Sequence, residues 1–427
     1  MRSRMVVVAM VFILAAVTVT WAGGKQEGAT GTAGGKVSIT WMLWWIPEWG
    51  QTKVDWIISN FAQSHPNITV TTIGSPYDPY RDKLVTLMQS GNTPDVFGTE
   101  SQWIPALSKL GTVQDLGPLL GSDSAFKSSI PASAIIKYAG VVRMIYYYEM
   151  GYHFAYNVDL ASKIGAPLPS SWQDLPDWLA AVKKSGVAQQ GLALQFNPKD
   201  ADHVMGRLLF TPLRQFGGKL LNDDGSAAFN SDLGVKVLEY WKSLIDAGLV
   251  FPDPVATTEN TMYDMMSSGT LPMQLNGPWV ASLVHQSNAN VKIVYLPVLK
   301  EEVANGTYLS GSGLGLSSQS KQAAAATAFF KYLWSEPVAS QMIAGTHLPF
   351  TNVKALNSPA NASDPILGPE VQMLSNPNSV SINPFPNMEQ AQEALANEIA
   401  NYILGKKSAK QALDDAAATW DKLRMQQ

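Results

Sequence analysis

The chain has 427 residues, with 30 Lys+Arg against 34 Asp+Glu for a net charge of −4, a near balance that argues against a dedicated nucleic-acid binder. It has no cysteine, which excludes disulfides, thiolate metal sites, thiol catalysis and a lipid-anchoring cysteine. With 46% hydrophobic and 15% charged residues it can bury a substantial core, and its length exceeds the roughly 250–300 residues at which one core stops growing, so two domains are expected.

At the N-terminus Arg2 and Arg4 precede an apolar run, Met5 to Val17, that ends near Thr20-Trp21-Ala22. The run is shorter than the roughly 20 residues a membrane helix needs, so it reads as a signal peptide over 1–22, with an uncleaved anchor as the alternative. Residues 23–35 hold nothing that could bury itself and read as a flexible leader. No later apolar stretch is long enough to span a bilayer. A periplasmic protein is expected, or a secreted one if the host has a single membrane.

Strand and helix patterns then alternate. Val37, Ile39, Trp41 and Leu43 share one face of a strand, and Val54, Ile57, Ile58 and Phe61 follow at helical spacing. Asn67 to Ile73 reads as a second strand, and Leu84, Leu87 and Met88 lie on a helix stopped by Gly91. This β-α-β-α order predicts a parallel sheet and an α/β fold. Ser171-Trp-Gln-Asp174 looks like a helix start leading into Trp178–Val182, and 232–247 and 320–335 are helical by periodicity. The C-terminus predicts two helices: one over about 389–404, ended by Gly405, and one opened by the capping box Ser408–Gln411.

Catalytic signatures are absent. His65, His153, His203, His285 and His347 lack metal-ligand spacing, and neither HExxH nor GxSxG occurs. No Gly-Lys pair is followed by Ser or Thr, so there is no Walker loop. Gly311 to Gly315 departs from a dinucleotide loop and reads as a tight backbone crossing. The acid pairs Asp223-Asp224, Glu301-Glu302 and Asp414-Asp415 are expected at turn or solvated positions. No cofactor and no metal are expected.

Tryptophans at strand ends are the informative feature. There are 13, and Trp44, Trp45 and Trp49 follow the first strand while Trp279 follows Asn276-Gly-Pro278. A flat ring beside carboxylates and amides suits sugars, whose C–H faces pack on aromatic rings and whose hydroxyls hydrogen-bond Asp, Glu, Asn and Gln. Burial in the core is the competing reading for any one of them; for Trp41, in the strand's apolar register, it is the better one.

From Val37 to Leu423 the chain resembles extracellular solute-binding proteins of the maltose-binding-protein type, the sugar-capturing components of ABC importers. The matching segments keep the family's order: the first strand with its aromatic end; Phe61 to Val70; Tyr80 to Leu84 leading to Ser90–Val96; Ala155 to Leu160; Pro169 to Leu175; Gly269 to Trp279; Ser310 to Gly315; Ala328 to Leu333; and His347-Leu-Pro349. The resemblance implies a two-lobed fold whose chain crosses three times, near Tyr148–Met150, Gly311–Gly313 and Leu348–Phe350, with the ligand in the cleft. The N-lobe would comprise 36–148 and 314–348, and the C-lobe 149–313 and 349–427. Hinge closure around the ligand is the known mechanism of periplasmic binding proteins and is carried over from that class.

The family's cleft positions fall here on Trp279 as the sugar-stacking ring; on Trp44, Trp45 and Glu48 after the first strand; and on Glu100, Ser101 and Gln102 at the end of the Pro94–Phe97 strand. Glu149 stands at the first crossing, His203 in a segment that contributes polar contacts, and Gly311 and Ser312 in the glycine-rich crossing. Where close maltose binders carry an aromatic pair, this chain has Asn387 to Gln392 without a ring, which argues against maltodextrin itself. The expected function is non-enzymatic capture of a mono- or oligosaccharide by a monomer that delivers it to a membrane permease. The alternatives are another polar solute, such as a glycerol phosphodiester or a polyamine, and, from other classes, a secreted glycosidase with two carboxylates flanking the bond or a structural surface protein.

Overall fold

The computed structural model describes residues 35–426; the expected signal peptide and the leader up to residue 34 lie outside them. Ten strands among the described residues form two sheets: β1 Val37–Leu43, β2 Ile68–Gly74, β3 Val96–Glu100, β4 Ile135–Tyr138, β5 Val141–Met150, β6 His153–Asn157, β7 Leu192–Ala193, β8 Met273–Asn276, β9 Ile293–Tyr295 and β10 Ser310–Leu316. The first sheet has the order β2-β1-β3-β10-β5-β4 and the second β7-β8-β6-β9. The fold is mixed α/β and two-lobed.

In the first sheet β1 runs parallel to β2, from Val37 opposite Ile68 to Leu43 opposite Gly74, and parallel to β3 at Trp41 and Met42. The expected β-α-β-α start is present: the intervening helices Gln51–Ser64 and Tyr77–Gln89 bury Val54, Ile57 and Phe61, and Tyr80, Leu84 and Met88. Helices on a sheet's faces explain why Trp41, Met42 and Leu43 are all buried at the end of β1 rather than alternating. Antiparallel β10 fits between β3 and β5. A Cβ on Gly313 would fall 2.4 Å from the Ile145 carbonyl oxygen, so this close strand approach requires glycine.

Only Gly151 and Tyr152 separate β5 of the first sheet from β6 of the second. The Gly151 N–H donates to Glu370 Oε2 at 3.0 Å, which satisfies the backbone where no ladder is available. β10 brings the chain back to the first sheet. Around Leu348–Phe350, where a third passage is expected, the chain stays against the first sheet as far as Thr351. Phe350 bridges to Tyr148, the Thr351 N–H donates to the Tyr147 carbonyl at 3.0 Å, and the Val353 N–H donates to the Ser129 carbonyl at 2.9 Å.

The helix expected over 320–335 is shorter, Ala323–Leu333, because Gln322 still has non-helical backbone angles. The C-terminal helices are Met388–Ile403 and Ala409–Met425; they pack on each other and on Asp232–Asp246 and Ala201–His203. Gly405 takes a φ of 73° after the first of them, and Ser408 Oγ accepts from the Gln411 N–H at 3.2 Å to cap the second. One expectation is corrected. Glu302 is buried, not solvated, since it accepts from the Leu299 N–H at 3.2 Å and from Gln215 Nε2 at 3.0 Å. No helix among the described residues is long and apolar enough to cross a membrane.

Candidate functional site

A cavity of about 700 Å³ is lined by residues attached to both sheets, within the roughly 300–1,000 Å³ span of small-molecule sites. Its first wall is built where β1 and β3 end. Trp44 follows β1 and lies on Gly98 of β3, where a Cβ would fall 2.7 Å from the ring's Cζ3. The ring packs against Tyr80, Trp103 and Tyr77 at centroid distances of 4.8, 5.6 and 5.7 Å. Beyond β3, a single 3₁₀ turn over Ser101–Trp103 turns Gln102 and Trp103 into the cavity. The Glu100 carboxylate accepts from Gln102 Nε2 at 2.5 Å, Tyr77 Oη at 3.1 Å and Ser312 Oγ at 3.4 Å.

The opposite wall centres on Glu259. It accepts from Arg207 Nη2 at 3.0 Å, Asn276 Nδ2 at 3.2 Å and the Tyr263 hydroxyl, and lies 3.1 Å from His203 Nδ1. His203 Nδ1 also reaches Asp200 Oδ1 at 2.8 Å, and Gln195 links Arg207 to Asp200 through bonds of 3.1 and 2.6 Å. Arg207 leaves the wall within a π-helical stretch, Val204–Phe210, and its guanidinium lies 5.7 Å from the centre of the Tyr152 ring. Trp279 Nε1 donates to Tyr263 Oη at 2.5 Å, so the indole is tied to the same network.

The walls meet. Arg81 Nη2 contacts Glu389 Oε2 at 2.5 Å, joining the helix Tyr77–Gln89 to the first turn of the helix Met388–Ile403. Gln102 Nε2 donates to Asp202 Oδ2 at 3.0 Å, and at the other end Ser282 Oγ and Gln286 Nε2 donate to the Glu48 carbonyl at 2.5 and 2.7 Å. The cavity is thus held in a closed arrangement.

Burial dominates the electrostatics. It pushes the carboxyls of Glu48 and Glu100 up to about 8, with Asp202 adding to the shift at Glu100. Burial also raises Asp202. Burial pulls the His203 imidazole down, but Asp200, Glu259 and Asp202 outweigh it and hold the ring well above its usual value. Glu259 shows the converse: burial pushes it up, and His203 and Arg207 hold it well below the usual carboxylate range.

Among the described residues, Asp200, Asp202 and His203 bring ligand-type atoms within 4.8 Å of one another. His203 Nδ1 is already engaged by Asp200 and Glu259, so a metal ligated through that nitrogen would have to displace both contacts. No hydroxyl or thiol in the lining pairs with a histidine base; the groups present are rings, carboxylates and amides, which suit recognition of a polar ligand.

Of the residues singled out from sequence, Trp44, Glu48, Glu100, Gln102, His203, Trp279 and Ser312 line the cavity together. The other four do not. Trp45 is fully buried behind Trp44 and stacks on Trp49 at 5.0 Å. Ser101 is buried next to Gln102. Glu149 points away and accepts from Ser133 Oγ at 2.7 Å, and Gly311 lies under Tyr146 and Tyr148. Sequence reasoning missed Tyr77, Arg81, Asp202, Glu259, Tyr263 and Glu389. Two signals were readable: the acids Asp200 and Asp202 beside His203, and Glu259 with Tyr263 one helical turn apart.

Comparison with known proteins follows the same lines. The chain is 20% identical over 373 residues to a binding protein of Brucella abortus (strain 2308), covering 84% of this chain and 87% of that one. Its structure superposes on an ABC transporter solute-binding protein from Thermotoga lettingae TMO bound with α-D-tagatose, with a TM-score of 0.79, 23% identity, and coverage of 90% of this chain and 99% of that one. The GacH receptor of Streptomyces glaucescens GLA.O, solved unliganded and in complex with acarbose, gives a TM-score of 0.76 at 21% identity, covering 91% and 98% of the two chains. These likenesses establish the two-lobed fold. The sequence profile of bacterial extracellular solute-binding proteins matches residues 56–369, well over half of the chain, and the protein belongs to that family.

Proposed function

We propose that the protein captures a mono- or oligosaccharide in this cavity outside the inner membrane and, as a monomer, delivers it unchanged to the permease of an ABC importer. The observation that carries this reading is the pairing of indole and phenol planes with carboxylates and amides in one cavity: Trp44, Trp103 and Tyr148 on one side and Trp279 on the other. A sugar ring packs its C–H face on such planes and spends its hydroxyls on the polar groups between them. Lobes formed by 36–148 with 314–348 and by 149–313 with 349–427 would close on the ligand about the β5–β6 connection. Binding then favours the closed arrangement because both walls contact the ligand only when together.

A thermal-shift screen over a sugar panel tests the reading, since a ligand at about 100 times its dissociation constant stabilises the fold by roughly 2.7 kcal/mol. The best ligand, incubated with stoichiometric protein, should be recovered intact by mass spectrometry. Catalytic conversion of that ligand by pure protein would replace capture with a glycosidase.

A further inference from the structure

Two glycines stand directly behind tryptophans of the cavity. Gly98, inside β3, and Gly277, immediately after β8, are buried and do not line the cavity, whereas Trp44 and Trp279 lie on them and do. A Cβ on Gly98 would fall 2.7 Å from Cζ3 and 3.1 Å from Cε3 of Trp44. One on Gly277 would fall 2.0, 2.4 and 2.5 Å from Cζ3, Cη2 and Cε3 of Trp279. The six-membered ring of each indole thus occupies the place of a side chain. Among the described residues no other glycine has a tryptophan ring as its nearest such contact, and the two rings seated this way belong to opposite walls of one cavity.

Neither backbone is free to retreat. Gly98 sits in the ladder opposite Leu314 of β10, and its carbonyl accepts from Tyr80 Oη at 2.9 Å. The Gly277 N–H donates to Asn276 Oδ1, and its carbonyl accepts from Tyr295 Oη, both at 2.9 Å. A methyl group at either position must therefore move the ring in front of it. Carbon atoms in contact lie about 3.5–4.0 Å apart, so Trp279 would shift by roughly 1.5 Å and Trp44 by roughly 0.8 Å. The space beside each ring is the cavity, and the shift narrows it. Both displacements exceed the roughly 0.5 Å within which a binding constellation must be held.

Building on the carbohydrate reading, we propose that Gly98 and Gly277 are positioning residues for the ligand: bare backbone seats that set how far the Trp44 and Trp279 planes stand into the cavity, and so the width left for a sugar ring between the walls. Neither glycine touches the ligand. Each acts only through the indole it carries.

Double-variant cycles test the seats, because coupling arises only between groups that act through each other. The probe is the tightest binder among glucose, galactose, mannose, xylose, maltose and cellobiose, measured by calorimetric titration of the mature chain. Gly277→Ala should weaken that sugar at least about tenfold and Gly98→Ala at least about threefold, in the order of the two ring shifts. Added to Trp279→Ala, Gly277→Ala should change affinity by less than about twofold, and Gly98→Ala added to Trp44→Ala likewise, because no ring is left to displace. Gly191→Ala is the packing control. Its Cβ would fall 2.5 Å from Leu179 Cδ2, and neither residue lines the cavity, so it should lower the apo melt while affinity stays within about twofold. Apo melts confirm that each variant folds; where one glycine variant does not, the cycle on the other wall decides. Near-parental affinity in a folded Gly277→Ala or Gly98→Ala, or an equal loss with and without its ring, overturns the seats and leaves sugar capture standing. A parent that binds no sugar of the panel overturns capture, and the seats with it.

Discussion

Replacing Trp279 by alanine separates the ring's two roles. Trp279 is only 7% exposed yet lines the cavity, and its benzo edge lies on Gly277, where a Cβ would fall 2.0 Å from Cζ3. Truncating a fully enclosed Trp or Phe costs about 3–5 kcal/mol. Here the vacated space opens into an existing cavity, which lowers the packing loss, while the lost bond from Nε1 to Tyr263 adds about 0.5–1.5 kcal/mol. The apo protein should therefore lose about 2–3 kcal/mol in denaturant melts. Removal of the stacking platform should also weaken the best sugar at least tenfold, or about 1.4 kcal/mol, in calorimetric titration well below the melt. Trp279→Phe keeps a six-membered ring but loses the N–H and the rest of the indole plane, so part of the affinity should return. A destabilised Trp279→Ala protein that still binds within about twofold of the parent, less than 0.5 kcal/mol, would make the ring structural and refute the reasoning.

Three further outcomes follow from the geometry. Arg81→Ala removes a half-buried pair worth up to about 1 kcal/mol, so apo small-angle scattering should show a larger radius of gyration that contracts again with saturating ligand; an unchanged apo radius would deny the pair any role in closure. Glu48 and Glu100, raised to about 8, and Glu149 and Glu302, raised to about 7, stay protonated in the fold after the unfolded chain has released those protons near 4.5. Ligand-free stability should therefore fall as pH rises from about 5 to 8. The raised His203 pulls the same way, because its contribution is full below the usual 6.5 and is lost above it; stability rising across that window in urea melts would contradict the assignment. Gly313→Ala forces a Cβ against a carbonyl oxygen 2.4 Å away and should cost about 1–3 kcal/mol or more, whereas Gly121→Ala, with nothing within 4 Å, should be neutral or slightly stabilising by the same melts.

Periodicity made the frame legible. The helices after β1 and β2 and the capped C-terminal pair lie where spacing and capping residues place them, because each is specified within about twenty residues of chain. Side-chain direction at the site was less accessible. Trp44 and Trp45 are adjacent, so one faces the cavity and the other the core, and only the turn after β1 decides which. On β5 the alternation of a strand offered more: Tyr148 lines the cavity, so its neighbour Glu149 must point to the other face, as it does. The Arg81–Glu389 contact joins residues 308 positions apart, and no local pattern encodes it.

The indoles behind the cavity also form a continuous optical unit. Trp44 lies 4.4 Å from Trp45, Trp45 stacks at 5.0 Å on Trp49, and Trp49 is 6.2 Å from Trp41, all between ring centroids. At such separations excitation passes between rings far faster than any ring emits. Light absorbed by any of these rings is thus shared among them, and Trp44 alone among the four borders the cavity. A ligand that changes the emission of that one indole is therefore reported by all four, giving the protein a fluorescence signal well above the one-in-thirteen share a single tryptophan would have.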